Sequence, residues 1–303
     1  MNFNKLLSRP ILAAVIGAFI ISSSGALTKL SLESPATIAL WRCIWALPLL
    51  AFFSHRETLK FGKRVKRDRV LSGLAGIAFT FDLVMWHYSI HYIGAGMATV
   101  LGNLSSVVVA FVAWTFLKER PSNRLLIALP FVLLGVTMTT GVLGGGADGI
   151  NPGLGVAFGI ACSISYGIFI VVYRAGGKDD RRIAGPLFDA TLFGGLGTLV
   201  FGPFLDQDFH LLPNLHSHVY LAILGNLCQV LGWLIISIAL PRLPAALTAL
   251  ILLIQPLGGI GIAVLFLGEH PTLIQLLGGT VILAGVVYAS RASRAPRAPL
   301  STG

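Results

Sequence analysis

The chain has 303 residues, 55% of them hydrophobic and only 11% charged, with a mean hydropathy of +0.83. A soluble domain carries about 25% charged residues, so this composition excludes an ordinary soluble protein, and its apolar content excludes disorder. The excess of 22 Lys and Arg over 12 Asp and Glu gives a net charge of +10. In a soluble chain that would point to nucleic acid; here the positions of the charges argue against such a partner.

Ten apolar runs follow one another, most of them near the ~20 residues that cross the hydrocarbon as a helix. They are predicted at 11–30, 35–53, 70–90, 95–117, 125–143, 152–173, 186–205, 219–240, 245–267 and 274–290. The first has the basic start (Lys5, Arg9) of a signal peptide, but it runs through Thr28 and Lys29 straight into the second. The second holds Arg42, whose long side chain could snorkel toward headgroups. The loop 54–69 is rich in Lys and Arg and reads as facing anionic lipid. In the third run Phe79, Asp82, Leu83 and Trp86 share one helical face, and His87, Tyr88 and His91 close the run as interfacial aromatics.

The fourth run carries Asn103 and Ser106, and the sixth carries Tyr166. The seventh holds Asp189 near its inner end, where helix capping is the favoured reading. The eighth places Gln229, Gly232, Trp233 and Ile236 on one face, with Asn226 one turn earlier. The ninth contains Gln255 and Pro256, and Pro256 predicts a kink with a freed carbonyl. Between the fifth and sixth runs, Gly144-Gly145-Gly146 lacks the GK[ST] of a phosphate-binding loop. Cys43, Cys162 and Cys228 lie within apolar runs, unpaired in sequence, and read as packing thiols without metal or disulfide. No cofactor motif is present, and residues 291–303 read as a disordered cytoplasmic tail.

With both ends inside, 20 of the 22 Lys and Arg residues fall in cytoplasmic segments; only Lys29 lies outside and Arg42 within a span. The positive-inside rule therefore predicts a multi-pass protein of the cell membrane with both termini cytoplasmic. Residues 86–136 also match 236–286 at a constant offset of 150. Phe-Leu-Lys-Glu-Arg-Pro (116–121) meets Phe-Leu-Gly-Glu-His-Pro (266–271), and Gly135-Val136 meets Gly285-Val286. Two like halves of five spans, 10–143 and 152–290, must face opposite ways, as in secondary transporters. Glu119 and Glu269 in this motif read either as gating groups or, more simply, as carboxylates near the following helix N-terminus.

On these motifs the chain resembles the EamA-type drug/metabolite transporter superfamily over about residues 10–290. That resemblance implies an all-helical membrane bundle around a central cavity, lined mainly by spans 1–4 and 6–9, with spans 5 and 10 peripheral. It also implies transport, since members include exporters of amino acids and other small metabolites, and some importers. The polar and aromatic faces then define a candidate substrate site of Phe79, Asp82, Trp86, Asn103, Tyr166, Asn226, Gln229, Trp233 and Gln255. Arg42, Asp82 and Asp189 stand as coupling or structural charges, because intramembrane ionisable groups are costly and usually functional. Asp82 reads equally as a proton- or ammonium-binding group and as an ion-pair partner of Arg42. The expected partners are a small organic solute and membrane lipids. A membrane-embedded enzyme would need a catalytic dyad or metal cluster, and none is visible; a scaffold or sensor without flux is the other alternative.

Overall fold

The computed structural model describes residues 9–139, 151–267 and 272–290, and among these every regular element is a helix. In chain order they are α1 (Pro10–Ser22), α2 (Ser24–Ser31), α3 (Pro35–Phe61), α4 (Lys66–Asn103), α5 (Ser105–Leu117), α6 (Asn123–Thr139), α7 (Pro152–Gly176), α8 (Ala184–Leu205) and α9 (Leu215–Ile223). A π-helical stretch (Leu224–Gly232) follows, then α10 (Trp233–Ala239), α11 (Ala245–Leu252), α12 (Gln255–Leu267) and α13 (Leu273–Ser290). Among the described residues six helical stretches, two of them running across consecutive elements (Pro10–Thr28 and Leu215–Ala239), are long and apolar enough to cross a membrane, and four shorter apolar ones fall where spans 4, 5, 9 and 10 are predicted. The outer surface is a belt of exposed apolar side chains such as Phe111, Phe131, Val200 and Val219. In water such a belt would drive aggregation; in lipid it costs nothing.

The helix ends follow local chemistry. Pro35 and Pro152 open α3 and α7 where a missing N–H is harmless, and the Asn151 side chain accepts from the Leu154 N–H at 3.2 Å. α3 stops at Gly62, whose φ of +80° lies in the left-handed region that favours glycine. Helices are also capped from a distance. Glu57, late in α3, accepts from the N–H groups of Ile183, Ala184 and Gly185 at 2.8–2.9 Å, at the start of α8. Asp206, just after α8, accepts from the Ala36 N–H at 2.8 Å, at the start of α3.

Spans 3 and 4 differ from the sequence expectation of a loop at 91–94, because helical geometry continues from Lys66 to Asn103 and the break comes at Leu104. The chain nevertheless reverses within this element. Its contacts with α7 run antiparallel from Ser72 beside Gly176, through Asp82 beside Cys162, to Ser89 on Gly155. They then run parallel, from Leu101 beside Ser163 to Val108 beside Gly167.

Packing is pairwise: α4 and α5 lie along α7, α3 and α4 against α8, α6 against α13 and α5 against α11. α1 meets the π stretch, α10, α11 and α12. Close approach depends on glycine. A Cβ at Gly76 would overlap the Ala190 carbonyl and come within 2.8 Å of the Gly194 nitrogen. The α6–α13 contact is reciprocal: Gly135 faces the Gly278 carbonyl and Ile282, while Gly285 faces Ala128 and Val132.

Candidate functional site

Three helix interruptions surround a central cavity of about 280 Å³. Ser22 and Ser24 flank the α1–α2 break, Asn103 and Ser105 the α4–α5 break, and Leu253 and Gln255 the α11–α12 break, and all six line it. The last break has a direct cause. Pro256 has no N–H to offer the Leu252 carbonyl, and the turn tightens, with Leu253 and Ile254 donating to Leu250 and Ile251. The α4 face predicted from the sequence, Phe79, Asp82, Leu83 and Trp86, forms another wall, with Cys162 and Tyr166 of α7 opposite and Trp233 at the start of α10.

Two opposite charges face this space. Arg42 is 4% and Asp82 7% exposed. The Arg42 Nε donates to the Gln229 Oε1 at 2.9 Å, Gln229 Nε2 donates to the Thr191 hydroxyl at 3.1 Å, and the guanidinium lies 5.3 Å from the Phe79 ring centroid. Arg42 therefore points inward and does not snorkel. Asp82 accepts from the Cys162 thiol at 3.1 Å. The ion pair between Arg42 and Asp82 anticipated as an alternative is not formed among the described residues. Two further donors, Asn103 Nδ2 and Trp233 Nε1, are buried without a protein acceptor. Among the described residues no group of His, Cys, Asp and Glu is placed to hold a metal.

On the α5-end side of the cavity the side chains pack closely together. Phe169 packs on Phe79, Trp233 and Tyr173 with ring centroids 4.8, 5.0 and 5.5 Å apart, all four buried. The Tyr173 hydroxyl meets Ser237 at 2.7 Å, and the Arg174 Nε donates to the Leu240 carbonyl at 2.8 Å. Glu119 joins this seal, pairing with Arg174 and accepting from the Ala245 N–H at 3.1 Å. The carboxylate does sit at a helix N-terminus, but it is that of α11, far along the chain, and not that of the following helix. Glu269 lies outside the described residues.

Three sequence candidates fall elsewhere. Gln229 stands behind Arg42 and does not line the cavity. Asn226 donates to the Ala222 carbonyl at 3.0 Å and faces a groove on the lipid side. The reason is the π stretch, whose wider i→i+5 turns advance each residue by a smaller angle and so move Asn226 off the face of Trp233. Asp189 pairs with Arg64, and with the Arg69 Nε at 3.5 Å, so its role is an ion pair at the bundle end and not a cap. Phe79, Asp82, Trp86, Asn103, Tyr166, Trp233, Gln255 and Arg42 do converge on the cavity. Sequence reasoning missed the distant caps Glu57 and Asp206. They lie within one residue of corresponding places at the ends of the second and seventh spans, so comparing the ends of matching spans, with a slip of one residue, is the signal that exposes them.

The sequence profile of the EamA-like transporter family matches residues 8–141 and again 153–291. An "uncharacterized transporter" of Archaeoglobus fulgidus is 28% identical over 246 residues, spanning 80% of this chain and 85% of the relative. The "uncharacterized transporter YdfC" of Bacillus subtilis is 24% identical over 275 residues, 90% of this chain and 88% of its own. A crystal structure of a protein 14% identical in sequence superposes with a TM-score of 0.75 over 95% of this chain and 98% of that one, a likeness of fold alone.

Proposed function

The chain belongs to the EamA-like transporter family, and from that premise we propose that it exports a small amino-acid-like or amphipathic metabolite across the cytoplasmic membrane by alternating access. The observation that carries this reading is the cavity: a buried arginine and a buried carboxyl that do not pair with each other, and two orphaned donors, set among aromatic walls. Uncompensated charges in a low-dielectric bundle cost several kcal/mol each. A solute with a cationic and an anionic group compensates both, and a cavity of about 280 Å³ admits only a small one. Interrupted helices beside the site supply free backbone groups, as midplane transporter sites require.

Alternating access rests on two inverted five-helix halves, 10–143 and 152–290, with both termini cytoplasmic. The reciprocal contacts support this. Gly135 meets 278 and 282 while Gly285 meets 128 and 132, each pair exchanged by the 150-residue offset. A similar exchange, displaced by one to three residues from that offset, has Glu57 capping α8 while Asp206 caps α3. α6 and α13 run antiparallel, so a twofold that exchanges them must lie across their axes. For helices that cross a bilayer, that direction is the membrane plane.

Purified protein screened by thermal shift against amino acids and other small metabolites, with hits carried into proteoliposome counterflow, tests the reading. At least one solute should both stabilise and exchange, and Asp82→Asn should reduce its exchange at least tenfold. Stabilisation and exchange by no solute would overturn the proposal. An unchanged pH dependence of flux in Asp82→Asn would remove that residue as a proton carrier.

A further inference from the structure

Outside the central cavity, the described residues form a groove of about 1330 Å³ on the lipid-facing side, between the second half of α3 and the π stretch with α10. Its floor is buried Val230, Ile235 and Ala184, and its walls are the exposed Leu49, Phe52 and Leu231. Cations gather at one end, where Arg56 and Lys60 sit with Arg242. Arg242 is matched by Asp180 at 3.2 Å, and the nearby Glu57 is spent capping α8. Arg56 and Lys60 have no ion-pair partner among the described residues. They are held over the groove's end by ring contacts, Arg56 at 5.7 Å from the Phe52 centroid and Lys60 at 5.2 Å from that of Phe61.

We propose that this groove binds one anionic glycerophospholipid of the leaflet at the α3–α4 connection, its phosphate on Arg56 and Lys60 and its acyl chain along α3 toward Leu49. The dimensions fit. From Leu49 to Lys60 the helix rises about 16 Å, comparable to half of the ~30 Å hydrocarbon core, so an acyl chain anchored at the charged end can lie along the full length of the apolar walls. The charge fits as well: two unmatched cations over an apolar trough select an anionic headgroup over a zwitterionic one. Asn226, at the deep end, gives the trough one polar group at the depth where the π stretch opens it.

The full chain, purified in mild detergent, can be titrated with dioleoyl phosphatidylglycerol or dioleoyl phosphatidylcholine and followed by native mass spectrometry and thermal shift. One phosphatidylglycerol should be retained about tenfold more tightly than phosphatidylcholine and should raise Tm further. The double variant Arg56→Gln, Lys60→Gln breaks no ion pair and should fold, yet lose that preference. Leu231→Trp, which fills the trough, should reduce retention of both lipids. Equal retention of the two lipids, a double variant that keeps the preference, or equal stabilisation by glycerol phosphate without acyl chains would each overturn the proposal.

Discussion

The Asn103 amide ends at the cavity wall with its Nδ2 buried and unpartnered. A donor left unmade in the free protein is a stability cost of about 1–3 kcal/mol. Asn103→Leu, close in shape, should therefore leave Tm unchanged or raise it. The same variant should raise KM for the transported solute about tenfold, the loss of one hydrogen bond of about 1.4 kcal/mol. Thermal unfolding and counterflow on one preparation decide it, and a lower Tm with unchanged KM would mean the amide serves the fold. A second residue pair lies outside the spans, where Glu33 meets His210 at 2.6 Å. Burial opposes ionisation of Glu33, but Ser217, the Asn214 N–H and His210 more than offset it and hold the carboxyl below its ordinary 4.5. The Asp208 carbonyl, and then Glu33, raise His210 above its ordinary 6.5. Glu33's contribution is complete above about pH 4.5 and fades as pH falls through its lowered value. His210's is complete below about 6.5 and fades as pH rises through its raised value. The link is fullest between, so Tm should fall by roughly 2 °C as the solution turns alkaline, and His210→Gln should flatten that slope. Asp82 and Trp86 were legible in the sequence because α4 keeps the 3.6-residue period through them. Asp189 was not, because its partner Arg64 lies 125 residues away and no local pattern announces it.

At the scale of elements, α4 and α8 touch backbone to backbone at Gly76, Ala190 and Gly194. Gly76→Ala forces the methyl into a carbonyl that has no rotamer to yield, and separating the helices strips the Thr80 hydroxyl of its Gly194 acceptor, now at 2.8 Å. The expected cost is about 1–3 kcal/mol, seen as a lower unfolding midpoint in detergent with no change in solute selectivity. Gly25→Ala, which meets nothing within 4 Å, is the matched control. Element boundaries were readable where a residue enforces them, as Pro256 enforces the α11–α12 break. The α4–α5 break at Leu104 has no proline, and only its offset of 150 from Ile254 links it to the other. The π stretch had no sequence signal at all: Leu224–Gly232 reads as an ordinary apolar helix, so Asn226 was placed on the wrong face. Its wider turn is set by packing against α1 and α3, including Gly225 against the Arg42 carbonyl.

Across the whole molecule the two ends of the cavity are unequal. The end toward α5, α7 and α11 is closed by the Phe169 ring cluster and by Glu119, which binds Arg174 and the start of α11 together. Toward the other end lie half-buried Ser24 and Asn103 and the exposed Gly25. In the proposed alternating-access cycle, with the charge rule setting the closed end in the cytoplasm, this conformer is the outward-facing one and Glu119 acts as a latch that opens once per cycle. A ligandless latch biases the two conformers by its own interaction energy and no more. Glu119→Gln keeps an acceptor for the Ala245 N–H but removes the charge that holds Arg174. A charge-assisted hydrogen bond contributes about 1.5–3 kcal/mol, so the cytoplasm-open population should rise about tenfold or more. Cys162, in the cavity wall beside Asp82, reports it once Cys43 and Cys228 are replaced by Ser. A membrane-impermeant thiol reagent should label Cys162 faster from the outer face in the parent protein. In Glu119→Gln, labelling in inside-out vesicles should accelerate about tenfold while labelling from the outer face slows. Equal acceleration from both faces would mean that the variant has loosened the bundle and that Glu119 holds the fold together without choosing between its two openings.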